Sequence, residues 1–445
     1  MKKGLSLIET LVGVALMLII FVGLLGAFRL AVSVVGASRA RVGAVALANE
    51  RMELIRNLPY EDIGTIGGIP AGEIASSEEL ILNQINYTIR TLIQYVDDIA
   101  DGEGVGDENG IVADYKKVKI EIGWGGRVPG EPVILISNIV PDGMETDVGG
   151  GTLKLSVFDA SVQPVISADV HIENNEVFPP ISVDVFTNSE GKIVFPGTPT
   201  ASAYEVSVSK PGFSSVQTYD VSPQNPNPQP GHFTILEGQT TEASFSIDLL
   251  SDLRISTLVA STSTTTPFVA KPDVNFSMRG EKVIGDDLGD PPNLIYKYSG
   301  NLDTGESGSV LIEGLEWDNY WITIDGVLTG YDISESCPFQ PVSIVPNTSD
   351  NEVTLILENK TTHSLLVYVE NIDGEFVTMA NVRLNRIGYD ETQQTSDTCG
   401  QTFFSGLSAS TNYAVEVSKS GYESFVLGNV EVDGYTTLKV ILSSL

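Results

Sequence analysis

Tyr204-Glu205-Val206-Ser207-Val208-Ser209-Lys210-Pro211-Gly212-Phe213 places an aromatic or β-branched residue at every second position and then stops at Pro-Gly. That alternation is the signature of a half-buried strand running into a turn. It returns as Tyr413-Ala414-Val415-Glu416-Val417-Ser418-Lys419-Ser420-Gly421-Tyr422. Ahead of the first copy stands Gly191-Lys192-Ile193-Val194-Phe195-Pro196-Gly197, and ahead of the second Gly400-Gln401-Thr402-Phe403-Phe404-Ser405-Gly406-Leu407. Between them lies a weaker copy, Ser309-Val310-Leu311-Ile312-Glu313-Gly314-Leu315, then Tyr320-Trp321-Ile322-Thr323-Ile324, then Gly330-Tyr331. Each copy opens on an alternating strand, near Leu153–Val157, Leu253–Leu258 and Leu365–Val369. A repeated strand-and-turn unit of this size predicts three tandem β modules, over residues 151–250, 252–358 and 362–445. The aromatic after each glycine is expected to pack at a module's end rather than to bind a ligand. Lys210 and Lys419 are expected to project to solvent, and the many Ser and Thr residues to line exposed β surface.

Working outward, Gly149-Gly150-Gly151 reads as a flexible joint. Residues 59–148 before it read as a small α+β head, with strands at Asn86–Val96 and Tyr115–Trp124. Between these strands the chain gathers Asp97, Asp98, Asp101, Glu103 and Asp107 among four glycines. Clustered carboxylates in a glycine-rich loop are a candidate calcium site, although the spacing is not that of an EF-hand. A plain acidic hairpin loop is the other reading. No other cofactor is expected.

The N-terminus decides what the modules are attached to. Met1-Lys2-Lys3-Gly4 is a short basic leader, and from Leu11 to Phe28 no residue is charged. As a helix that run is about 27 Å long, close to the ~30 Å hydrocarbon core of a bilayer. A secretory signal peptide would have a shorter apolar run and a small-residue cleavage site beyond it. Glu9 stands just inside the apolar stretch, where an ionisable group is costly and usually functional. From Arg29 to Arg56 the helix continues as an Ala- and Val-rich amphipathic extension, ending near Leu58-Pro59 because proline disfavours continuation.

Lys3-Gly4-Leu5-Ser6-Leu7-Ile8-Glu9 resembles the class III leader of type IV pilins and type II secretion pseudopilins. The stretch from Ala46 to Tyr60 is similar to the helix end of minor pilins. The resemblance implies cleavage between Gly4 and Leu5 by a prepilin peptidase, N-methylation of Leu5, and a role for Glu9 in assembly. It divides the first part of the chain into a leader (1–4), a stem helix (5–58, membrane-spanning over 11–28) and a globular head (59–148). Leu5 departs from the Phe or Met with which many members begin, and Gly23 and Gly26 stand where many carry a helix-loosening proline. The repeats in turn resemble carboxypeptidase-regulatory-like and collagen-adhesin B-type sandwiches. The expected fold is multi-domain and mainly β: a long transmembrane helix, a small α+β pilin head and three Ig-like or prealbumin-like sandwiches.

The implied partners are the prepilin peptidase, other major and minor pilins, and the inner membrane before assembly, with a surface ligand for the sandwiches. The implied location is a single pass through the cytoplasmic membrane, N-terminus inside, and then an extracellular filament. Three modules of about 100 residues, each with a radius of gyration near 13 Å, would crowd a fibre if every subunit bore them. A minor subunit of the tip complex is therefore expected. Membrane-anchored surface adhesion without a filament is the alternative.

Charge and chemistry agree with a non-catalytic role. Residues 1–58 hold seven basic and three acidic side chains; the rest hold 18 basic and 55 acidic, a net of −37. Such a body repels nucleic acid, so no direct binding is expected. His171, His232 and His363 stand in separate modules with no spacing for metal ligation or a catalytic triad. No phosphate loop, nucleophile elbow or zinc motif is present, and no enzyme is expected. The two cysteines, Cys337 late in the middle module and Cys399 in a turn of the third, could form a disulfide after export or remain free thiols.

Overall fold

The computed structural model describes residues 7–98, 113–125, 131–141, 148–261 and 267–445, with side chains from residue 11 apart from residue 13. The fold is mainly β, with one long N-terminal helix and several β-sandwich domains. The chain divides into two compact units. Met1–Val157, Pro164–Val208 and His232–Phe245 form one, and Phe158–Gln163, Ser209–Gly231 and Ser246–Leu445 form the other.

In the first unit, helix α1 runs unbroken from Leu7 to Arg56, about 75 Å at 1.5 Å per residue. It passes through Gly23 and Gly26 without interruption, because two glycines cost only about 1 kcal/mol each in a long run of helix formers. Pro59 then starts a single 3-10 turn, Tyr60–Asp62. The head is an antiparallel meander of β1 (Ser77–Leu82), β2 (Ile85–Val96), β3 (Tyr115–Trp124) and β4 (Val133–Ile139). One face of this sheet packs on the second half of α1. Ala40, Ala44 and Ala48, one turn apart, make a flat stripe that lets the sheet approach closely, and Leu47, Met52 and Ile55 flank it. Opposite them lie Tyr87, Ile89, Ile93, Val118, Ile120 and Ile122. Buried Tyr87 donates to the Ala40 carbonyl oxygen at 3.0 Å and fixes the register of helix on sheet.

The first sandwich follows directly. One sheet has the order Thr240–Ser246, Gly151–Phe158, Lys192–Thr198; the other pairs Ala201–Ser209, Asp169–Asn174 and Ile181–Phe186 in that order. Gly150 and Gly151, where it begins, are held rather than loose. Gly150 donates its N–H to Glu237 Oε1 at 3.0 Å and accepts from Gly238 N–H at 2.8 Å. Gly151 is already in a strand, and a Cβ there would run into the backbone oxygens of Leu236 and Gln239. Close approach of backbone, not flexibility, explains the glycines, so the flexible-joint reading is corrected.

In the second unit, two sandwiches occupy Ser251–Asn359 and Ser364–Leu442. Residues 209–231 also join this unit, where Asn227–Pro228 pairs with Val283–Asp286. The third sandwich repeats the strand order of the first: Gln401–Phe404, Ser364–Asn371, Tyr435–Leu442 in one sheet, with Tyr389–Gln394, Asn381–Arg386, Ser410–Ser418 in the other. In both modules of this unit the opening and closing strands run parallel and side by side, Ser251–Ala260 with Asn351–Asn359 and Ser364–Asn371 with Tyr435–Leu442. Parallel neighbours require that the chain enter a module at one end and leave at the other.

Two hydrogen-bonding arrangements recur in every module. Tyr204, Tyr320 and Tyr413 each turn the hydroxyl back to a carbonyl oxygen four or five residues upstream, at 2.6, 2.8 and 3.1 Å. Thr187 and Thr395 each bridge a facing loop, accepting from Ala168 and Ala380 N–H at 2.9 Å and donating to the carbonyls of Val165 and Val377. Thr304 takes the same place in the middle module, accepting from Val274 N–H at 3.2 Å. These three threonines are buried, so the expectation that Ser and Thr line exposed β surface fails where a hydroxyl satisfies backbone groups inside a sandwich end. Phe213, Tyr331 and Tyr422, expected to pack at module ends, are half-buried.

Candidate functional site

The feature that sets this chain apart from a string of sandwiches is the first half of α1. Its large apolar side chains from Leu11 to Val35 are exposed, among them Met17 at 69%, Ile19 at 69% and Phe28 at 68%. Among the described side chains, the first buried one on the helix is Ala40. About 37 Å of apolar helix is thus bare, while the same helix, without a break, supplies one wall of the head's core. It is long and apolar enough to cross a membrane. Burying even one such Leu or Phe side chain is favourable by roughly 1.5–3 kcal/mol. So large an exposed apolar surface calls for lipid or a partner.

The residues singled out from the sequence fall as follows. Gly4 and Leu5 lie outside the described residues. Glu9 lies on α1, and its side chain is outside the description. Asp97 and Asp98 follow β2, and Asp98 N–H donates to the Asp114 carboxylate. Asp101, Glu103 and Asp107 lie outside the described residues, so the loop cannot be assembled into a coordination shell. Among the described residues no group of three or more His, Cys, Asp or Glu side chains is placed to hold a metal ion. Cys337 and Cys399 are disulfide-bonded in the structure, with Cα atoms 5.7 Å apart. Of the histidines, His171 pairs with Asp184 at 2.7 Å and His363 Nδ1 accepts from Gly434 N–H at 2.9 Å.

Sequence reasoning passed over Lys116, the most deeply placed cation of the head. It sits 1% exposed on β3 and donates to the carbonyl oxygens of Tyr60 and Ile63 at 2.7 and 2.8 Å. Its ammonium lies 4.5 Å from the centre of the Tyr60 ring. It therefore ties the turn after α1 to the sheet, fixing the angle at which stem meets head. Burial lowers its pKa to about 8, against the opposing charges of Glu61 and Asp62. Below pH 8 the lysine is charged both folded and unfolded, and the burial cost is felt in full. Between pH 8 and the ordinary value of 10.5 the folded chain releases the proton first, so stability of the head rises with pH. The urea midpoint for exchange of head amides is expected to be higher at pH 9.5 than at pH 7.5. In Lys116→Met this rise should vanish; an unchanged rise would assign it to another group.

Beside the head, the edge strand Ile181–Phe186 of the first sandwich and the outer side of the head's sheet line a hollow of about 390 Å³. Ser182 N–H donates to the Gly67 carbonyl at 2.8 Å. Arg90, Lys119 and Glu121 of the head and Asp169 and Asp184 of the sandwich line the space, with Lys119 paired to Glu121 at 3.4 Å. Burial raises the pKa of Asp169, with Asp184 adding to it and Arg90 opposing it. Head and first sandwich thus meet through a seam that carries charged side chains from both.

No protein-family model and no curated protein matches the sequence. Among solved structures, the chain is similar to the Bacillus anthracis TIE protein at 18% identity and a TM-score of 0.19, over 74% of this chain and 59% of that one. It thus spans somewhat over half the length of that protein. It is also similar to the shaft pilin SpaA of Lactobacillus rhamnosus GG at 10% identity and a TM-score of 0.18, over 44% of this chain and 98% of that one. A streptococcal ancillary pilin matches at 13% identity and a TM-score of 0.18, over 66% of this chain and 99% of that one.

Proposed function

We propose that the chain is a non-catalytic minor subunit of a type IV pilus or a type II-secretion-like filament. It is held in the cytoplasmic membrane by its stem before assembly and carries its sandwiches to the cell surface at or near the filament tip. The observation that carries this reading is the continuity of α1. An ordinary membrane anchor is joined to its cargo by a linker, whereas here the bare apolar half and the half that closes the head's core are one helix. Such a helix transmits its position in an apolar bundle to the domain it carries. In this reading 1–4 is the leader, 5–58 the stem, 59–148 the head, and 151–250, 252–358 and 362–445 the displayed modules. A prepilin peptidase and the other pilins are its assembly partners. Anchored adhesion without a filament shares the apolar helix but gives no reason for Gly4, Leu5 and Glu9 to stand as they do.

Processing separates the two. The mature protein is expected to start at Leu5 with a methylated amine when expressed with a prepilin peptidase, as read by N-terminal mass spectrometry. An intact Met1, or cleavage near residue 30, would overturn the pilin reading.

A further inference from the structure

The second and third sandwiches are linked by four residues, 360–363, and every element at that joint is bonded. Buried Asp332 of the second module accepts from Lys360 Nζ at 3.1 Å, Thr361 N–H at 3.4 Å and Ser364 Oγ at 3.3 Å. From the other side, Gly406 N–H donates to Thr361 Oγ1 at 3.0 Å and Leu407 N–H to the His363 carbonyl at 3.0 Å. Beyond the linker, Gln401 is 2% exposed and its amide does what a neighbouring strand would do. Nε2 donates to the Ser336 carbonyl at 2.6 Å, and Oε1 accepts from Ser336 N–H at 3.0 Å. Next to that pair is the Cys337–Cys399 disulfide. Tyr435 Oη donates to the Ile333 carbonyl at 2.9 Å, and the rings of Phe339 and Tyr368 stack 3.4 Å apart.

We infer that the second and third sandwiches act as one mechanical body, locked by Cys337–Cys399 and the Gln401 amide, and that reduction of the disulfide unlocks it. The topology explains what the lock would do. Because the chain enters and leaves the second module at opposite ends of two parallel strands, tension along the chain loads all the rungs between Ser251–Ala260 and Asn351–Asn359 together. The closing strand Asn351–Asn359 lies inside the loop between Cys337 and Cys399, whose sequence separation is 62. With the disulfide closed, tension passes from Cys337 to Cys399 through the sulfurs. The closing strand, the linker and the first three strands of the third module are then spared. This inference concerns the modules alone and stands whether or not the stem enters a filament.

Full-length protein in detergent, held by enzymatically attached handles at its two ends and stretched in an optical trap, tests it. The oxidised protein is expected to unfold the two modules in one event, and its final contour length should be short by roughly 200 Å, from about 3.3–3.6 Å per residue over the closed loop. Adding dithiothreitol to the same molecules should restore that length and split the event in two. In this exchange a reagent thiolate attacks one sulfur. The mixed disulfide then resolves, leaving two cysteine thiols and the reagent's cyclic disulfide. Gln401→Leu should keep the hidden length but lower the force of the joint event. Separate unfolding of the modules in oxidised protein, or a contour length unmoved by reductant, would overturn the inference. Because reduction is performed on folded wild-type molecules, the result does not depend on whether a Cys337→Ser variant folds.

Discussion

Replacing Phe404 by alanine is expected to destabilise the third sandwich by about 3–5 kcal/mol, and Phe195→Ala should do the same to the first. Both rings are buried, at 0% and 1% exposure. They hold the same place: Phe404 pairs across the sheet with Leu365, and Phe195 with Leu153. Around Phe404 stand Val382, Tyr413 and Val440, β-sheet residues that cannot collapse far into the space left behind. The loss therefore includes the cavity as well as the transfer of the ring. For a module of this size each kcal/mol moves the melting temperature by about 4–8 °C, so a fall of roughly 12–40 °C is expected in the first module's calorimetric transition, and in the third module's once the Cys337–Cys399 disulfide is reduced. In the middle module the equivalent pair is Ile312 with Leu253, and Ile312 is only half-buried. Ile312→Ala should cost clearly less. Equal losses at all three positions would contradict the shared register; a small loss at Phe404 would contradict the core assignment.

That middle position explains how much of the fold was legible. Alternation read off Tyr204–Phe213 and Tyr413–Tyr422 reported a strand directly, because side chains on a half-buried strand alternate between core and solvent whatever the module. The middle copy was faint because the large ring is replaced by a half-buried isoleucine and the closing lysine is absent. The buried threonines gave no signal at all. Thr187, Thr304 and Thr395 work through hydroxyl bonds to backbone, and in a chain rich in Ser and Thr nothing in the residue type marks which ones turn inward. Tyr204, Tyr320 and Tyr413 were visible as repeat landmarks, but their upstream carbonyl partners depend on how the chain folds back.

The site was legible only where its chemistry is local. A run of uncharged residues fixes a bare apolar helix from sequence, since length and charge are sufficient to specify it. The division of α1 into an exposed half and a packed half follows from Ala40, Ala44 and Ala48 meeting Tyr87, 39 or more positions away along the chain, a pairing that no window contains. Lys116 was unreadable for the same reason: on a strand with Lys117 and Lys119 it looks like one more solvent lysine, and only the return of Tyr60 and Ile63 buries it. Gly149–Gly151 misled because a glycine run marks either freedom or close approach, and composition does not distinguish them.

Glu9→Ala is expected to leave the protein cleaved, methylated and inserted in the membrane, while its incorporation into filaments falls roughly 100-fold or more. In the proposed reading Glu9 is fifth in the mature chain; it stands in the first turn of α1, and two partners would compete for its carboxylate. One is the positive end of its own helix, worth about 0.3–1 kcal/mol. The other, in the proposed filament, is the charged α-amine of a neighbouring subunit, carried into an apolar bundle. Removing one member of a buried pair of that kind costs about 3–5 kcal/mol, and each 1.4 kcal/mol is a factor of ten in association. The stronger of the two interactions forms only on assembly, so the defect should appear in filaments and not in folding. Glu9→Gln keeps the size and hydrogen-bonding capacity but not the charge, and should be nearly as defective. The measurement is the ratio of subunit in sheared filaments to subunit in the membrane fraction, with the melting of the head as a control. Wild-type incorporation of Glu9→Ala would refute the charge-pair role. A defect in Glu9→Ala that Glu9→Gln restores would replace it with one of packing or hydrogen bonding.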